Sequence, residues 1–262
     1  MIVCYAQGGG LGHLTRIRAY LHTCHPGEPA TILTTSPFTA DPRVLGPHRV
    51  LPAAALPSLR PSILVIDAFP FGLNGELNAS AVSPGTRLVH LARLLRWDAY
   101  RTLTPAAPLH FDQTWTVEEL TPPHHAFLAS ISGSIAPLRL TDPPVAEPLS
   151  VLAQDRWLVA HAGPLTEITE LLSYASECSA LERGDRRLLL VSPHPPPAPP
   201  PNVDHLSVYP AAPLFPRADR IFTAAGFNAV RQLAPWRPKH VMLPFPRRWD
   251  DQFTRATRAR TP

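Results

Sequence analysis

The chain opens with "MIVCYAQGGGLGHLTRIRAYL" (residues 1–21), and this stretch indicates the fold. Residues 2–6 form a short apolar run that is typical of a buried strand. The residues that follow, 13–21, have the pattern of a helix. Between them lie glycines, which let the backbone turn and let another molecule approach it closely; they are Gly8, Gly9, Gly10 and Gly12. A strand, a glycine loop and a helix N-terminus in this order predict a ligand site.

Apolar runs bounded by turn residues recur along the first half of the chain and predict a parallel sheet flanked by helices. They are residues 30–35, 48–53, 62–69, 87–95 and 111–120. An irregular stretch follows, and the proline-rich residues 136–150 read as an interdomain connection. The boundary is therefore predicted near residue 150.

The second half starts the same plan afresh, with a strand in "DRWLVAHAGP" (155–164) and an amphipathic helix at 165–181. Further strands are predicted at 186–193, 204–210, 219–224 and 239–245, with helices near 225–236 and 249–260. Open sheets of this kind bind ligands beyond the carboxyl ends of their strands. The prediction is an α/β protein of two Rossmann-like doubly wound domains, residues 1–150 and 151–262, facing a central cleft.

Composition limits the class of protein. With 262 residues, 45% of them hydrophobic, the chain can bury a sizeable core. Three cysteines without metal-ligand spacing make a disulfide framework improbable and indicate a reducing compartment, so we expect a cytoplasmic protein. No apolar run has the length of a membrane span, and the first residues lack the charged start of a signal peptide.

The basic balance, a net charge of +4, comes almost wholly from arginine, with Lys239 the only lysine. Arginines cluster between Arg247 and Arg260. They fit either polyanion binding or a helix surface that faces a phosphorylated ligand. A nucleic-acid binder is not expected, because aromatic residues are not interleaved with the basic ones as stacking platforms would require.

Three stretches carry a family resemblance: "GGGLGHLTR" (8–16), "ADRIFTAAGFNAVRQL" (218–233) and "PKHVMLPFPRRWDDQ" (238–252). In this order they resemble a glycosyltransferase of the GT-B fold, in particular the N-acetylglucosaminyltransferase that makes lipid II and the plant secondary-metabolite glucosyltransferases. The resemblance implies transfer of a sugar from a nucleotide-diphosphate sugar, most simply a UDP-sugar, to an acceptor hydroxyl. It implies no metal and no cofactor besides the donor substrate. The first half would hold the acceptor and the second half the donor.

The turn at Ala225 and Gly226 is the predicted diphosphate site, because it exposes the N-terminus of a helix that starts near Phe227. Asn228 can add a side-chain donor. The resemblance maps Gln232 onto the glutamate that binds the ribose hydroxyls, a departure that removes its charge. The resemblance also implies donor contacts of Gly163 beside the phosphates and of Asp251 with Gln252 on the sugar hydroxyls, and the stretch 161–164 equally fits a structural turn. Arg247 or Arg248 would replace the phosphate contacts missing at Ala224 and Ala229. The stretch "WDDQ" also fits a helix N-cap.

His13 is the predicted catalytic base, since its ordinary pKa lies near working pH and plant relatives use a histidine in this loop. A histidine that only binds acceptor or phosphate is the alternative. Asp67, at the end of a predicted strand, would orient His13 or act as the base itself. The acceptor or phosphate loop is completed by Gly9, Gly10, Gly12, Arg16 and Glu76. Arg16 would meet phosphate or an acidic acceptor, or else lie on a solvated helix face.

Two rival functions fit the same residues. One is a sugar-nucleotide epimerase or hydrolase, which would consume the donor without an acceptor. The other is a non-catalytic sugar-nucleotide-binding protein, which the residues Ala224, Ala229 and Gln232 favour because each departs from the family pattern. The sugar and the acceptor are not identified by the sequence. A lipid acceptor would imply peripheral membrane contact.

Overall fold

The protein is described by a computed structural model that covers residues 1–145, 153–182, 184 and 186–260. The chain forms two compact units. The first unit comprises residues 1–143 and 248–251, and the second unit comprises residues 144–247 and 252–262. The predicted boundary near residue 150 lies outside the described residues. The sequence analysis did not foresee that residues 248–251 belong to the first unit.

Within the described residues, the first unit holds a parallel sheet of seven strands. The strands are β1 Ile2–Tyr5, β2 Ala30–Leu33, β3 Arg49–Leu51, β4 Ile63–Asp67, β5 Arg87–Ala92, β6 Gln113–Thr116 and β7 Ile135–Pro137. The α-helices are α1 Leu11–Cys24, α2 Pro42–Leu45, α3 Trp97–Tyr100 and α4 Pro122–Ser130. The strand order is β3-β2-β1-β4-β5-β6-β7, so the topology reverses direction at β1. The loops after β1 and β4 therefore leave the same edge of the sheet side by side.

The described part of the second unit repeats this plan with a parallel sheet of five strands in the order β10-β9-β8-β11-β12. The strands are β8 Trp157–Ala160, β9 Leu188–Val191, β10 Val203–Leu206, β11 Arg220–Ala224 and β12 His240–Leu243. The α-helices are α5 Leu165–Leu181, α6 Phe227–Gln232 and α7 Gln252–Arg260. Here the order reverses at β8, whose neighbours are β9 and β11. The predicted α/β class with two parallel sheets is confirmed.

Two segments differ from the sequence analysis, and proline explains both. The stretch after residue 120 was expected to be irregular, but α4 begins there at Pro122. Proline is compatible with the first turn of a helix because that turn needs no amide hydrogen from it. The predicted connection at 136–150 begins inside β7, where Pro137 ends an edge strand that tolerates proline.

The central strands β1, β4, β8, β9 and β11 are largely buried because helices cover a parallel sheet on both faces. All four residues of β1 are buried, and burial raises the pKa of the Cys4 thiol far above its usual range. The three cysteines are free. None of the described helices has the length and apolar content needed to cross a membrane.

His124 of α4 is an unusual member of this core. Its side chain is fully buried and its ring stacks on Trp97 with a centroid separation of 4.3 Å. Neither ring nitrogen has a hydrogen-bond partner in the structure. Burial lowers the pKa of His124 to about 3, so the folded protein keeps this histidine neutral.

His124→Phe should make the protein less sensitive to acid. An unfolded histidine takes up a proton below about pH 6.5, whereas folded His124 stays neutral down to about pH 3. Stability of the wild type is thus lost as the pH falls through this window. Between about pH 7.5 and about pH 5 the variant should lose less unfolding free energy than wild type, by on the order of 2 kcal/mol. Urea denaturation at both pH values measures the difference.

His125→Phe is the matched control, because His125 is the exposed neighbour on the same helix. It should keep the pH dependence of the wild type. The same pH dependence in all three proteins would contradict a buried, neutral His124.

Candidate functional site

The first unit brings His13, Arg16 and Asp67 together at the carboxyl edge of its sheet. His13 and Arg16 lie in the first two turns of α1, and Asp67 is the last residue of β4. Since β1 and β4 pair directly, the helix that follows β1 starts beside the end of β4. His13 Nδ1 lies 2.6 Å from Asp67 Oδ2. Arg16 donates from Nε to Asp67 Oδ1 at 2.5 Å and from Nη2 to Oδ2 at 2.6 Å.

Electrostatics set the protonation of this cluster. The Asp67 side chain is fully buried, which opposes ionisation, but Arg16 and His13 outweigh burial and hold the pKa of the carboxyl far below its usual range. Burial lowers the pKa of His13, and the pull of Asp67 in the opposite direction only partly offsets it. An ionised Asp67 accepts the Nδ1 proton of a neutral His13, so the lone pair of the ring lies on Nε2. This arrangement suits a general base.

The backbone around His13 is built to admit its ring. Gly8 has φ +144, and a Cβ at this residue would lie 2.6 Å from His13 Cδ2 and Nε2. Ala68 has φ +64 and sits in a tight turn closed by the Phe69 amide, which donates to the Asp67 carbonyl at 2.7 Å. A positive φ is costly for alanine and often marks a functional site. The Phe69 ring that this turn presents lies 5.4 Å from the His13 ring.

The position of Arg16 differs from both predicted positions. It lies neither on a solvated face nor at an open phosphate position, because the residue is only 2% exposed and its guanidinium binds Asp67. The glycines differ from one another as well. Gly9, Gly10 and Gly12 are exposed, and a Cβ added at Gly9 would meet nothing within 4 Å. Gly9 and Gly10 are therefore accessible from solvent, and their contact with a ligand stays a prediction.

Glu76 orders the loop that follows Asp67. Its carboxylate accepts the Tyr5 hydroxyl at 2.8 Å and the amides of Leu73 at 2.9 Å and Asn74 at 2.7 Å. Gly72, with φ +82, packs directly against this carboxylate. The geometry is that of a loop anchor, so the predicted acceptor contact of Glu76 has no support from its surroundings.

Residues 248–251 contribute contacts that sequence reasoning missed. Trp249 donates from Nε1 to the Leu73 carbonyl at 3.1 Å, and its ring lies edge-on to Tyr100 at 5.4 Å. Asp250 pairs with the buried Arg93, whose guanidinium also lies 5.5 Å from the Phe69 ring centroid. Asp251, predicted to bind the donor with the second domain, thus belongs to the first unit. No local signal reveals these contacts, because Arg93 and Asp250 are 157 residues apart.

In the second unit, side chains donate hydrogen bonds to the carbonyls of the first two residues of the turn at 224–226. Thr223 Oγ1 donates to the Ala224 carbonyl at 2.8 Å, and the buried Arg255 donates from Nη1 to the Ala225 carbonyl at 3.1 Å. In a trans peptide the amide hydrogen of the next residue points away from the carbonyl. The amides of Ala225 and Gly226 are therefore directed away from these side chains, but Ala225 is fully buried and only Gly226 is partly exposed. A Cβ at Gly226 would meet nothing within 4 Å, so the turn faces open space.

A buried relay supports this turn from behind. Arg237 Nη1 lies 3.0 Å from His240 Nδ1, and His240 Nε2 lies 2.8 Å from Thr223 Oγ1. Arginine can only donate, so Nδ1 accepts and Nε2 carries the proton that His240 gives to Thr223. Burial and the neighbouring Arg237 lower the pKa of His240 to about 4. The direction of every hydrogen bond in the relay is thereby determined at neutral pH.

The other residues predicted to bind the donor differ in their exposure to solvent. Asn228 and Gln232 of α6 are half-buried, whereas the Phe227 side chain is buried. Gln252 is 4% exposed, and its Oε1 accepts the Phe245 amide at 3.0 Å. Gln252 thus has a structural contact in place of the predicted sugar contact.

His161, Glu167 and Arg247 form a cluster beside Gly163. Arg247 donates from Nη1 and Nη2 to the two oxygens of Glu167, each at 2.5 Å. His161 Nε2 lies 2.8 Å from Glu167 Oε2. A Cβ at Gly163 would lie 2.2 Å from His161 Nε2, so this glycine makes room for the ring. Glu167 was missed by the sequence analysis, and it corrects the picture of Arg247 as an uncommitted phosphate ligand.

Among the described residues, no group of three or more histidine, cysteine or acidic side chains is placed to hold a metal ion.

Comparisons with known proteins identify the fold. No family model and no curated protein matches the chain. The solved structure of the glycosyltransferase SnogD from Streptomyces nogalater matches with a TM-score of 0.56 at 15% identity, covering 98% of this chain and 84% of that one. The spinosyn rhamnosyltransferase SpnG, complexed with thymidine diphosphate, matches with a TM-score of 0.61 at 13% identity, covering 98% and 83%. The calicheamicin glycosyltransferase CalG4 matches with a TM-score of 0.54 at 16% identity, covering 98% and 82%.

The chain has the GT-B fold. At these identities the likeness concerns the fold, and it confirms the fold that the three sequence stretches implied. The narrower resemblance to the lipid II enzyme and to plant glucosyltransferases stays a prediction. In the GT-B fold each unit is a Rossmann-like domain, and the clusters described above lie at the carboxyl edges where such domains bind ligands.

Gly8→Ala should disturb the His13 cluster. The new Cβ would need a positive φ and would overlap the His13 ring, so the variant should lose about 2 kcal/mol or more of unfolding free energy. Urea denaturation measures the loss. Gly9→Ala is the matched control, since the space around Gly9 is open, and it should change stability by less than about 0.5 kcal/mol. Equal effects of the two substitutions would contradict the described packing of His13.

Proposed function

We propose that the protein is a glycosyltransferase that moves a sugar from a nucleoside diphosphate sugar to an acceptor hydroxyl. The first unit holds the acceptor and the base, and the second unit holds the donor. The observation that carries the proposal is the neutral His13, whose Nδ1 proton is given to a fully buried, ionised Asp67. Its placement on a GT-B fold points to deprotonation of an acceptor hydroxyl.

The chemistry follows from the protonation states. His13 Nε2 takes the proton of the acceptor hydroxyl while the hydroxyl oxygen bonds to the anomeric carbon. The bond from that carbon to the diphosphate oxygen breaks, and the nucleoside diphosphate leaves with the electron pair. Asp67 stabilises the imidazolium that forms. Arg16 keeps Asp67 ionised, so the proton stays on His13.

The donor site of the proposal is the turn at residues 224–226. The amide of Gly226, which is partly exposed, can donate to the diphosphate, and a fixed donor of this kind stabilises charge that develops on a leaving group. Asn228 and Gln232 lie on the helix that follows and would contact phosphate and ribose. Because amide and guanidinium donors can take over the charge, the reaction is proposed to need no metal. A uridine-linked donor is proposed from the sequence resemblance.

A transfer assay tests the proposed function. The protein is incubated with UDP-hexoses and, separately, dTDP-hexoses, with and without a panel of hydroxyl acceptors, and in the presence of EDTA. Mass spectrometry of glycosylated product and release of nucleoside diphosphate are the readouts. Product formation that requires an acceptor supports a transferase. Donor consumption without an acceptor would indicate a hydrolase or an epimerase, and binding without turnover would indicate a sugar-nucleotide-binding protein.

His13→Ala should lower turnover at least ~100-fold while the Kd of the nucleoside diphosphate changes less than about twofold, because the base acts on the acceptor. Initial rates and calorimetry give the two quantities. His22→Ala, in the last turn of the same helix, is the control and should retain wild-type turnover. Full activity of His13→Ala would remove His13 from the mechanism.

Thr223→Val should weaken donor binding more than it slows the chemical step. Valine keeps the shape of threonine but cannot hold the Ala224 carbonyl, so the turn loses its fixed orientation. We expect the KM for the donor to rise about fivefold or more, with kcat changed less than about twofold. Thr223→Ser restores the hydroxyl and should restore the KM. A KM unchanged in Thr223→Val would show that the hydroxyl does not position the turn.

A further inference from the structure

The cluster of His161, Glu167 and Arg247 lies where anions bind in a fold of this kind. His161 directly follows β8, Glu167 is in the first turn of α5, and Arg247 follows β12. All three thus belong to the carboxyl edge of the second sheet. Ligands of doubly wound sheets bind at this edge.

The anion bound in this cluster is the Glu167 carboxylate. It accepts two parallel hydrogen bonds from Arg247, which is also the geometry that a guanidinium makes with a phosphate. It also accepts a hydrogen bond from His161. Phe245 backs the cluster, with its ring centroid 5.9 Å from the His161 ring and 5.8 Å from the Arg247 guanidinium carbon. Donors from separate elements therefore converge on a single carboxylate.

The cluster can open without unfolding the unit. The Arg247 side chain is 31% exposed and the Glu167 side chain 13% exposed, so water reaches the pair. The pair is bidentate and its carboxylate is largely buried, so it stabilises this arrangement, and an incoming anion has to bind Arg247 better than Glu167 does. A diphosphate carries more negative charge than a carboxylate and offers more acceptor oxygens, so it can compete for the same guanidinium.

We propose that Glu167 is a built-in competitor of the diphosphate: an incoming diphosphate replaces its carboxylate at Arg247 and His161, and Glu167 thereby restrains donor binding. The identity of that diphosphate as part of a sugar donor rests on the proposed function. The contact is autoinhibitory, because the carboxylate must release Arg247 before the anion binds. If Glu167 only positioned Arg247, loss of the carboxylate would instead weaken anion binding.

Glu167→Gln tests whether the carboxylate restrains or supports anion binding. Glutamine keeps the size of the side chain and can still hydrogen-bond His161, but it no longer neutralises Arg247. Isothermal titration with inorganic pyrophosphate, and separately with UDP and dTDP, should give a Kd at least about fivefold lower than in wild type. Adding Arg247→Met to Glu167→Gln should abolish this gain. Circular dichroism checks that each variant is folded, and Glu167→Ala serves as a second variant if Glu167→Gln is not.

Glu182→Gln is the matched control, because Glu182 forms an exposed ion pair with Arg220 in the same unit. Its Kd values should stay within about twofold of wild type. Unchanged or weaker binding of pyrophosphate to Glu167→Gln overturns the inference, even if wild type transfers sugar. Tighter binding of pyrophosphate with no binding of UDP or dTDP and no transfer supports the anion site and counts against the proposed function. Failure of both proteins to bind any of the three ligands overturns both.

Discussion

The buried charge of Asp67 constrains the first unit more than any other feature. A carboxylate that is excluded from water must be paired and hydrogen-bonded, because an unpaired buried charge would strongly destabilise the unit. Its partners, Arg16 and His13, both come from α1, so the helix after β1 has to start beside the end of β4. Gly8 follows from that requirement, because a side chain at this residue would overlap the His13 ring, and the tight turn at Ala68 comes directly after the carboxylate residue.

In the second unit, hydrogen bonds from side chains to backbone carbonyls fix the turn at the carboxyl edge of the sheet. Side chains hold carbonyls there: Thr223 and Arg255 fix the turn at residues 224–226, and His240 fixes Thr223. Glu167 and Arg247 satisfy each other nearby. In both units the polar groups lie beyond the carboxyl ends of parallel strands, where the topology brings separate loops together. One unit thus offers a proton acceptor, and the other offers directed amide donors.

The sequence analysis succeeded where the signal is local. The helix at 165–181 has the bounds that were read for it, and every described strand except β7 overlaps the stretch read for it, with ends that differ by up to four residues. It also named His13 and Asp67 as partners. The predictions failed where a side chain has two chemically reasonable partners. Arg16 binds the buried Asp67, and Gln252 accepts a hydrogen bond from the Phe245 amide. Proline misled it at α4, because proline ends a helix in one position and starts it in another.

The sequence by itself determined the α/β class and the two repeated plans, because turn chemistry and periodicity act over a few residues. Only the tertiary structure decided which charges meet. Arg16 and Asp67 are 51 residues apart, and Glu167 and Arg247 are 80 apart. Such pairs form when the strand order places distant loops side by side. Burial then decides which of them stay ionised, because a charge removed from water must be paired.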